Sequence, residues 1–176
     1  ATSLSFNISK DKFEALDNGV GMLKEDILKY FEEFGNSSKK ENDLGEFGIG
    51  RGQIFAQGHT TWRTKSLVMR VDVKNAGLNY VLNEGEINYF NGTKIEVKLY
   101  NKVKFLDKKI ERFIEWVKYV QDIDIIVNGN KINEILDFDY EDATGMVKVV
   151  ENDAIHVYNR GIFVKEDKIG TGAIII

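Results

Sequence analysis

An α+β fold, a two-layer sandwich with helices on one face of a mixed, largely antiparallel sheet, is what this sequence predicts. Three observations lead there. Strand-like alternation recurs along the chain, and two stretches switch to a helical period. The strand segments follow one another through short breaks at Asn, Asp and Gly rather than through crossover helices. With no proline, the chain must turn at its 16 glycines and at Asn and Asp.

The elements follow in order. Leu4, Phe6 and Ile8 alternate with polar residues, as a half-buried strand does, and a second short strand is expected from Phe13 to Leu16. It empties into Asp17-Asn18-Gly19-Val20-Gly21-Met22. Leu23, Ile27, Phe31 and Phe34 recur at helical spacing, with Gly35-Asn36 as the stop signal. The polar stretch Asn36 to Asp43 predicts a loop. Gly45-Glu46-Phe47-Gly48-Ile49-Gly50-Arg51-Gly52 follows, and Gln53 to Ala56 is expected to open another helix. From Thr60 to Leu99 the alternation of Leu67, Met69, Val71 and Val73, and of Ile95, Val97 and Leu99, predicts a meander of three or four strands. Its breaks fall at Asn75-Ala76-Gly77, Asn83-Glu84-Gly85 and Asn91-Gly92. Asp107 to Val120 returns to helical period through Ile110, Phe113, Ile114 and Val117. Ile123, Ile125 and Val127 lead into Asn128-Gly129, a strong hairpin signal. Ile155 to Ile176 is expected to be further strand broken at Gly161 and Gly170. A boundary near residue 122 divides the chain into 1–122 and 123–176, the latter holding terminal strands or the start of another module.

Composition narrows the function classes. Zero cysteines exclude disulfides, thiolate metal sites and a cysteine nucleophile. No apolar run approaches the roughly 18–20 residues that span a bilayer, and the start has no signal-peptide pattern, so no membrane role and a cytoplasmic location are expected. A formal net charge of −4 does not indicate a nucleic-acid partner. Lys102, Lys104, Lys108, Lys109 and Arg112 are interleaved with Asp107 and Glu111, as on a solvated helix face. His59 and His156 have no partners at metal-ligand spacing.

Two glycine clusters carry the chemistry. A glycine-rich turn lets backbone approach a ligand, and the start of a following helix offers N–H groups to an anion, so Gly45 to Gly52 suits a phosphate or simply makes a tight turn. It is not a Walker A loop, because no Gly-Lys-Ser or Gly-Lys-Thr closes it, and its spacing is not that of a dinucleotide-binding turn. In the first cluster, Asp17 stands between an apolar strand and a turn containing Gly19 and Gly21. A carboxylate there can accept a hydrogen bond from an exocyclic amine, the glycines leave room for a flat ring, and Met22 can lie against it. The alternative is a turn Asp that caps the next helix.

Taken together the clusters resemble the GHKL ATPases: Hsp90, MutL, type II topoisomerases and histidine kinases. Asp17 to Met22 is similar to their D-x-G-x-G-M box, Gly45 to Gly50 to their G-x-x-G-x-G box, and Gly92-Thr93 to their final G-T. All three stand in family order, and the resemblance covers roughly residues 1 to 120. It implies the Bergerat-type ATP-binding fold and ATP or ADP as ligand. Asp17 would bind the adenine amine with help from a buried water and Thr93, while Gly19, Gly21 and Met22 would border the base. Gly45, Phe47, Gly48, Ile49 and Gly50 would belong to a lid that wraps the phosphates. Ser37-Ser38-Lys39 resembles the G-T-S-x-K stretch before the lid in MutL-like members, with Asn36 in place of the Thr. Lys39 would then reach a phosphate, or Arg51 would.

The resemblance also implies a preceding helix with a water-activating Glu and a Mg²⁺-holding Asn. Ala1-Thr2 stands where its closing motif would finish, so the chain is expected to be part of a longer protein. Mg²⁺ and hydrolysis are expected of that protein, not of this chain alone. No catalytic residue and no metal ligand is nominated, since Glu14 on a strand is expected to point away from Asp17.

More than 80 residues follow Thr93, and the second cluster has the G-x-F-G-x-G form. Both features favour the Hsp90, MutL or MORC-like side over the histidine kinases. The function implied is a nucleotide-binding, chaperone-like or DNA-associated module that uses lid closure to drive conformational change, with homodimerisation through regions outside this chain. The alternatives are a non-catalytic interaction module with weak or no nucleotide binding and, more distantly, a histidine kinase catalytic domain. Arg160 is either a switch residue reaching a nucleotide or an ordinary hairpin residue.

Overall fold

The computed structural model describes residues 1–31, 50–143, 145–151, 154–168 and 172–176. They form two compact units, Ala1–Lys104 and Phe105–Ile176. The boundary expected near residue 122 falls inside the second unit.

In the first unit the strands are β1 (Ser3–Ile8), β2 (Lys12–Asp17), β3 (Gly58–Lys65), β4 (Leu67–Val71), β5 (Tyr80–Glu84) and β6 (Phe90–Leu99). The helices are α1 (Lys24–Phe31), α2 (Gly50–Phe55) and the single turn α3 (Val73–Ala76). The strands lie side by side in the order β5-β4-β3-β6-β2-β1, every pair antiparallel. Residues opposed across an antiparallel ladder project to one face, and alternate residues along a strand share it. The register therefore stacks three rows on one face. Leu4, Asp17, Thr93, Thr64 and Leu67 form the first. Phe6, Ala15, Ile95, Trp62 and Met69 form the second, and Ile8, Phe13, Val97, Thr60 and Val71 the third.

The helices cover this face. Ile27 from α1 and Phe55 from α2 join Trp62, Leu67, Met69 and Val71 in one buried cluster. Each such side chain, removed from water, contributes roughly 1.5–3 kcal/mol. Phe31, Phe55 and Trp62 meet at angles, the Phe31 and Trp62 rings edge to face at 5.1 Å. Asp26 accepts the Leu23 amide at 2.9 Å across the start of α1, and Glu25 and Lys29 sit at the ends that suit their charge.

The opposite face is charged. Glu14 pairs with Lys12 at 3.1 Å and Lys94 at 2.9 Å, while Glu96 pairs with Lys12 at 3.1 Å and Arg63 at 3.6 Å. Lys94 and Lys12 hold the Glu14 carboxyl down at about 2. Glu14 thus points away from Asp17, as its strand position predicts.

Three local expectations are corrected. The apolar strand expected to end at Leu16 runs one residue further, so Leu16 faces out, 42% exposed, and Asp17 faces in. The helix expected from Gln53 starts at Gly50, inside the glycine cluster. Val73, expected to continue a strand, opens α3, because Asp72 accepts from the Asn75 backbone and side chain and caps a turn instead.

The second unit has α4 (Leu106–Val117) and the strands β7 (Asp124–Val127), β8 (Asn130–Lys131), β9 (Tyr140–Asp142), β10 (Gly145–Val150), β11 (Ala154–Asn159), β12 (Ile162–Lys168) and β13 (Gly172–Ile175). A five-stranded sheet runs in the order β12-β11-β13-β10-β9, with β11 and β13 parallel and the other neighbours antiparallel. Asn128-Gly129 turns β7 into β8, and Arg160-Gly161 turns β11 into β12, all four residues at positive φ. A Cβ on Gly161 would stand 2.2 Å from the Tyr119 carbonyl oxygen. The hairpin tip therefore rests directly on backbone after α4. Tyr158 packs edge to face on Tyr119 at 4.9 Å, and its hydroxyl donates to the Glu115 carbonyl at 3.2 Å.

Candidate functional site

The first row on the helix-covered face is polar at its centre, where the rows beside it are mostly apolar. Asp17, Thr93 and Thr64 stand in line across β2, β6 and β3. Asp17 is the last residue of its strand and Thr93 follows a bulge, so both lie where strand pairing gives way to turns. Asp17 Oδ1 accepts the Gly19 amide at 2.7 Å, which curls the chain immediately after the strand. Its second carboxylate oxygen and the Thr93 hydroxyl accept or donate no hydrogen bond among the described residues. Two polar groups, half-buried and adjacent, thus have hydrogen-bonding capacity that no described residue takes up.

The turn between Asp17 and α1 is tied at three points. Asn18 Oδ1 accepts from the Thr2 amide at 2.8 Å and the Ser3 amide at 3.0 Å, which anchors the outer end to β1. The Met22 amide donates to Thr64 Oγ1 at 2.8 Å, and that hydroxyl donates to the Gly92 carbonyl at 2.8 Å. Gly21 has φ +73°, and a Cβ there would come within 2.6 Å of Thr64 Oγ1. Gly92, at φ +99°, would place a Cβ 2.1 Å from the Asp17 carbonyl oxygen. The glycines of two motifs far apart in sequence are thus needed for one close approach of backbone to backbone. Met22 packs at the edge of the buried cluster.

Arg51 lies over the Phe31 ring at 5.3 Å, and burial pushes its guanidinium pKa down. Gly50 begins α2 and, with Ile54, Ile8, Phe13, Val97 and Leu99, lines a cavity of about 570 Å³ around the third row. Its walls suit apolar rather than phosphate surface. Lys39, Gly45, Phe47, Gly48 and Ile49, expected around a phosphate group, lie outside the described residues. So do Ser37 and Ser38.

Of the expected residues, then, the structure brings Asp17, Gly19, Gly21, Met22 and Thr93 together, and sets Gly50 and Arg51 at the start of α2. Sequence reasoning missed Thr64 altogether. Its motif-free setting, Arg63-Thr64-Lys65, gives no sign that it bonds residues 42 and 28 positions away. A buried hydroxyl in an alternating strand is a signal only after the register is known.

A layer of helices over an antiparallel sheet, with a carboxylate and a glycine turn at the strand ends, defines a Bergerat-type ATP-binding domain. Residues 2–109 match the profile of the family described as histidine kinase-, DNA gyrase B- and HSP90-like ATPase, and the chain belongs to that family. No curated protein matches the chain. Among solved structures it is similar to the ATPase region of Saccharomyces cerevisiae topoisomerase II bound to ICRF-187 (dexrazoxane). The TM-score is 0.68 at 13% identity, over 99% of this chain and 67% of that one. That likeness is one of fold.

The family generally uses Mg²⁺ with its nucleotide. Among the described residues no three His, Asp or Glu side chains converge on a point that would hold a metal ion. Glu14 is engaged on the other face. No helix among the described residues is long and apolar enough to cross a membrane.

Proposed function

We propose that this ATP-binding domain reads adenine through Asp17 and Thr93 and serves a Hsp90-, MutL- or MORC-like ATPase as its nucleotide module. The observation that carries the reading is the open pair: a carboxylate oxygen and a hydroxyl without hydrogen-bond partners among the described residues, side by side on the helix-covered face. A carboxylate accepts from the 6-amino group of adenine, and a threonine hydroxyl both donates and accepts, so it serves a ring nitrogen directly or through water. Gly19 and Gly21 border the ring, and Met22 supplies a soft apolar contact.

Gly45 to Gly50 form a lid over the phosphates in this reading, with Lys39 or Arg51 reaching them. Lid closure on ATP shifts a conformational equilibrium, and two copies of the full protein associate through regions beyond this chain. Hydrolysis belongs to the full protein. The amount of chain after Thr93 and the G-x-F-G-x-G form of the second cluster support this side of the family over the kinases.

The test is calorimetric titration of the 176-residue chain with ADP. Saturable binding with one-to-one stoichiometry is expected. A folded chain that takes up no ADP at millimolar concentration would sink the proposal.

A further inference from the structure

We infer that Thr64 is a positioning residue for the base site, joining the glycine turn after Asp17 to the bulge before Thr93 through one buried hydroxyl. The inference rests on the adenine reading of Asp17 and Thr93. Thr64 is only 1% exposed and stands opposite Thr93, which stands opposite Asp17. Its hydroxyl accepts from the Met22 amide at 2.8 Å and donates to the Gly92 carbonyl at 2.8 Å. One donor and one lone pair are thus both used, each on a residue next to a proposed base contact. Met22 would touch the ring, and Gly92 immediately precedes Thr93.

The strand is bent to make this bridge. Thr64 pairs with Thr93, but Lys65 pairs with Phe90, so Asn91 and Gly92 form a bulge on β6. The bulge, with Gly92 at φ +99°, is where its carbonyl meets the Thr64 hydroxyl. Lys65 continues the clamp from its own positive φ of 56°. Its Cε lies 3.4 Å from where a Cβ on Gly21 would stand, and its ammonium donates to Tyr89 Oη at 2.9 Å and Asn91 Oδ1 at 3.4 Å. Neither Thr64 nor Lys65 has to touch the nucleotide. Thr64 sets the distance between Met22 and Thr93, and so sets the width of the slot that a flat base enters.

A residue that sets that width governs base discrimination as well as affinity. Removing the hydroxyl takes the partner from a half-buried amide and a buried carbonyl, and both relax toward other groups. The experiment is titration of wild type, Thr64→Val, Thr64→Ser and Asp17→Asn with ADP and with inosine diphosphate, which carries a 6-oxo group instead of the 6-amino. Thermal melting is followed without nucleotide. Wild type is expected to prefer ADP. Thr64→Val is expected to bind ADP roughly 10-fold weaker or worse and to lose a similar factor of preference over inosine diphosphate. Thr64→Ser, which keeps the hydroxyl, is expected to restore both. A purely structural threonine would lower the melting temperature and leave the ratio of the two affinities alone.

Thr64→Val with wild-type affinity and preference, while Asp17→Asn loses both, would overturn the inference and leave the base site standing. Asp17→Asn with wild-type ADP affinity would remove the base reading itself, and this inference with it. Should Thr64→Val not fold, amide hydrogen exchange on wild type decides. The Met22 amide is expected to be protected, and further slowed by ADP; exchange as fast as in an open loop would overturn the bridge.

Discussion

Asp17 and Thr93 are register partners across β2 and β6, with the backbone of Asp17 so close to Gly92 that no side chain fits between them. One strand end thus supplies the carboxylate, the other the hydroxyl, and the spacing of the pair is set by ladder hydrogen bonds rather than by mobile side chains. Replacing Asp17 by Asn keeps the shape and removes the charge-assisted acceptor. ADP affinity is expected to fall by about 2–3 kcal/mol, roughly 30- to 150-fold, with little loss of melting temperature, as read by calorimetry and thermal denaturation.

Gly21→Ala and Gly92→Ala are expected to fail for different reasons. At Gly21 a Cβ would meet the Thr64 hydroxyl at 2.6 Å and the Gly92 carbonyl oxygen at 2.9 Å, so the substitution pushes on the Thr64 bridge and ADP binding suffers more than stability. At Gly92 the obstacle is the Asp17 backbone carbonyl, which cannot move without breaking β2 from β6. Both also force an alanine to positive φ, at about 1–3 kcal/mol each. Urea unfolding should show Gly92→Ala as the more destabilised variant.

Acid stability carries the mark of the charged sheet face. Lys94 and Lys12 hold Glu14 at about 2, from an ordinary 4.5, so the folded state favours its ionised form. Its contribution is fully present above pH 4.5 and is lost as pH falls toward 2. About 1–2 kcal/mol is expected from this group after solvent screening. Glu86, paired with Arg70, titrates in the same window. Urea midpoints measured from pH 6 to pH 2.5 should drop for wild type and drop less for Glu14→Gln.

At the alkaline end the second unit responds. Burial pushes the Tyr158 phenol up to about 12, from an ordinary 10. The folded state thus resists its ionisation, and the stability it contributes is present below pH 10 and lost as pH rises toward 12. Absorbance titration should show a late-ionising component in the folded chain, to which Tyr158 contributes beside Tyr100 and Tyr140, which are also pushed up. Tyr158→Phe should reduce that late component by one tyrosine and cost about 1 kcal/mol at neutral pH through the lost bond to the Glu115 carbonyl.

Much of the frame was legible in the residues. The alternation of Leu4, Phe6 and Ile8, the helical spacing around Ile110 to Val117 and the Asn128-Gly129 turn all describe short stretches of backbone, where side-chain period and glycine's freedom decide the outcome. The same holds for the order of the motifs, Asp17 to Met22 and Gly92-Thr93, which identify the family without any distance being known. Strands β9 and β10 left no such trace. Gly145, Met146 and Val147 are partly buried and pair with β9 just before them and with β13 near the end of the chain, and that pairing rather than their own pattern makes them strand.

The sequence by itself determined which residues are candidates for the chemistry: an acid before a glycine turn, a methionine after it, and a threonine behind a glycine. The tertiary structure alone decided how they meet. It turned Asp17 inward and Leu16 outward, because antiparallel register with β6 fixes which alternate set faces the helices. It placed Glu14 among lysines on the other face. It also set an unremarked threonine, Thr64, between Met22 and Gly92, since a hydroxyl's partners are chosen by strand pairing across tens of residues and not by its neighbours in the chain.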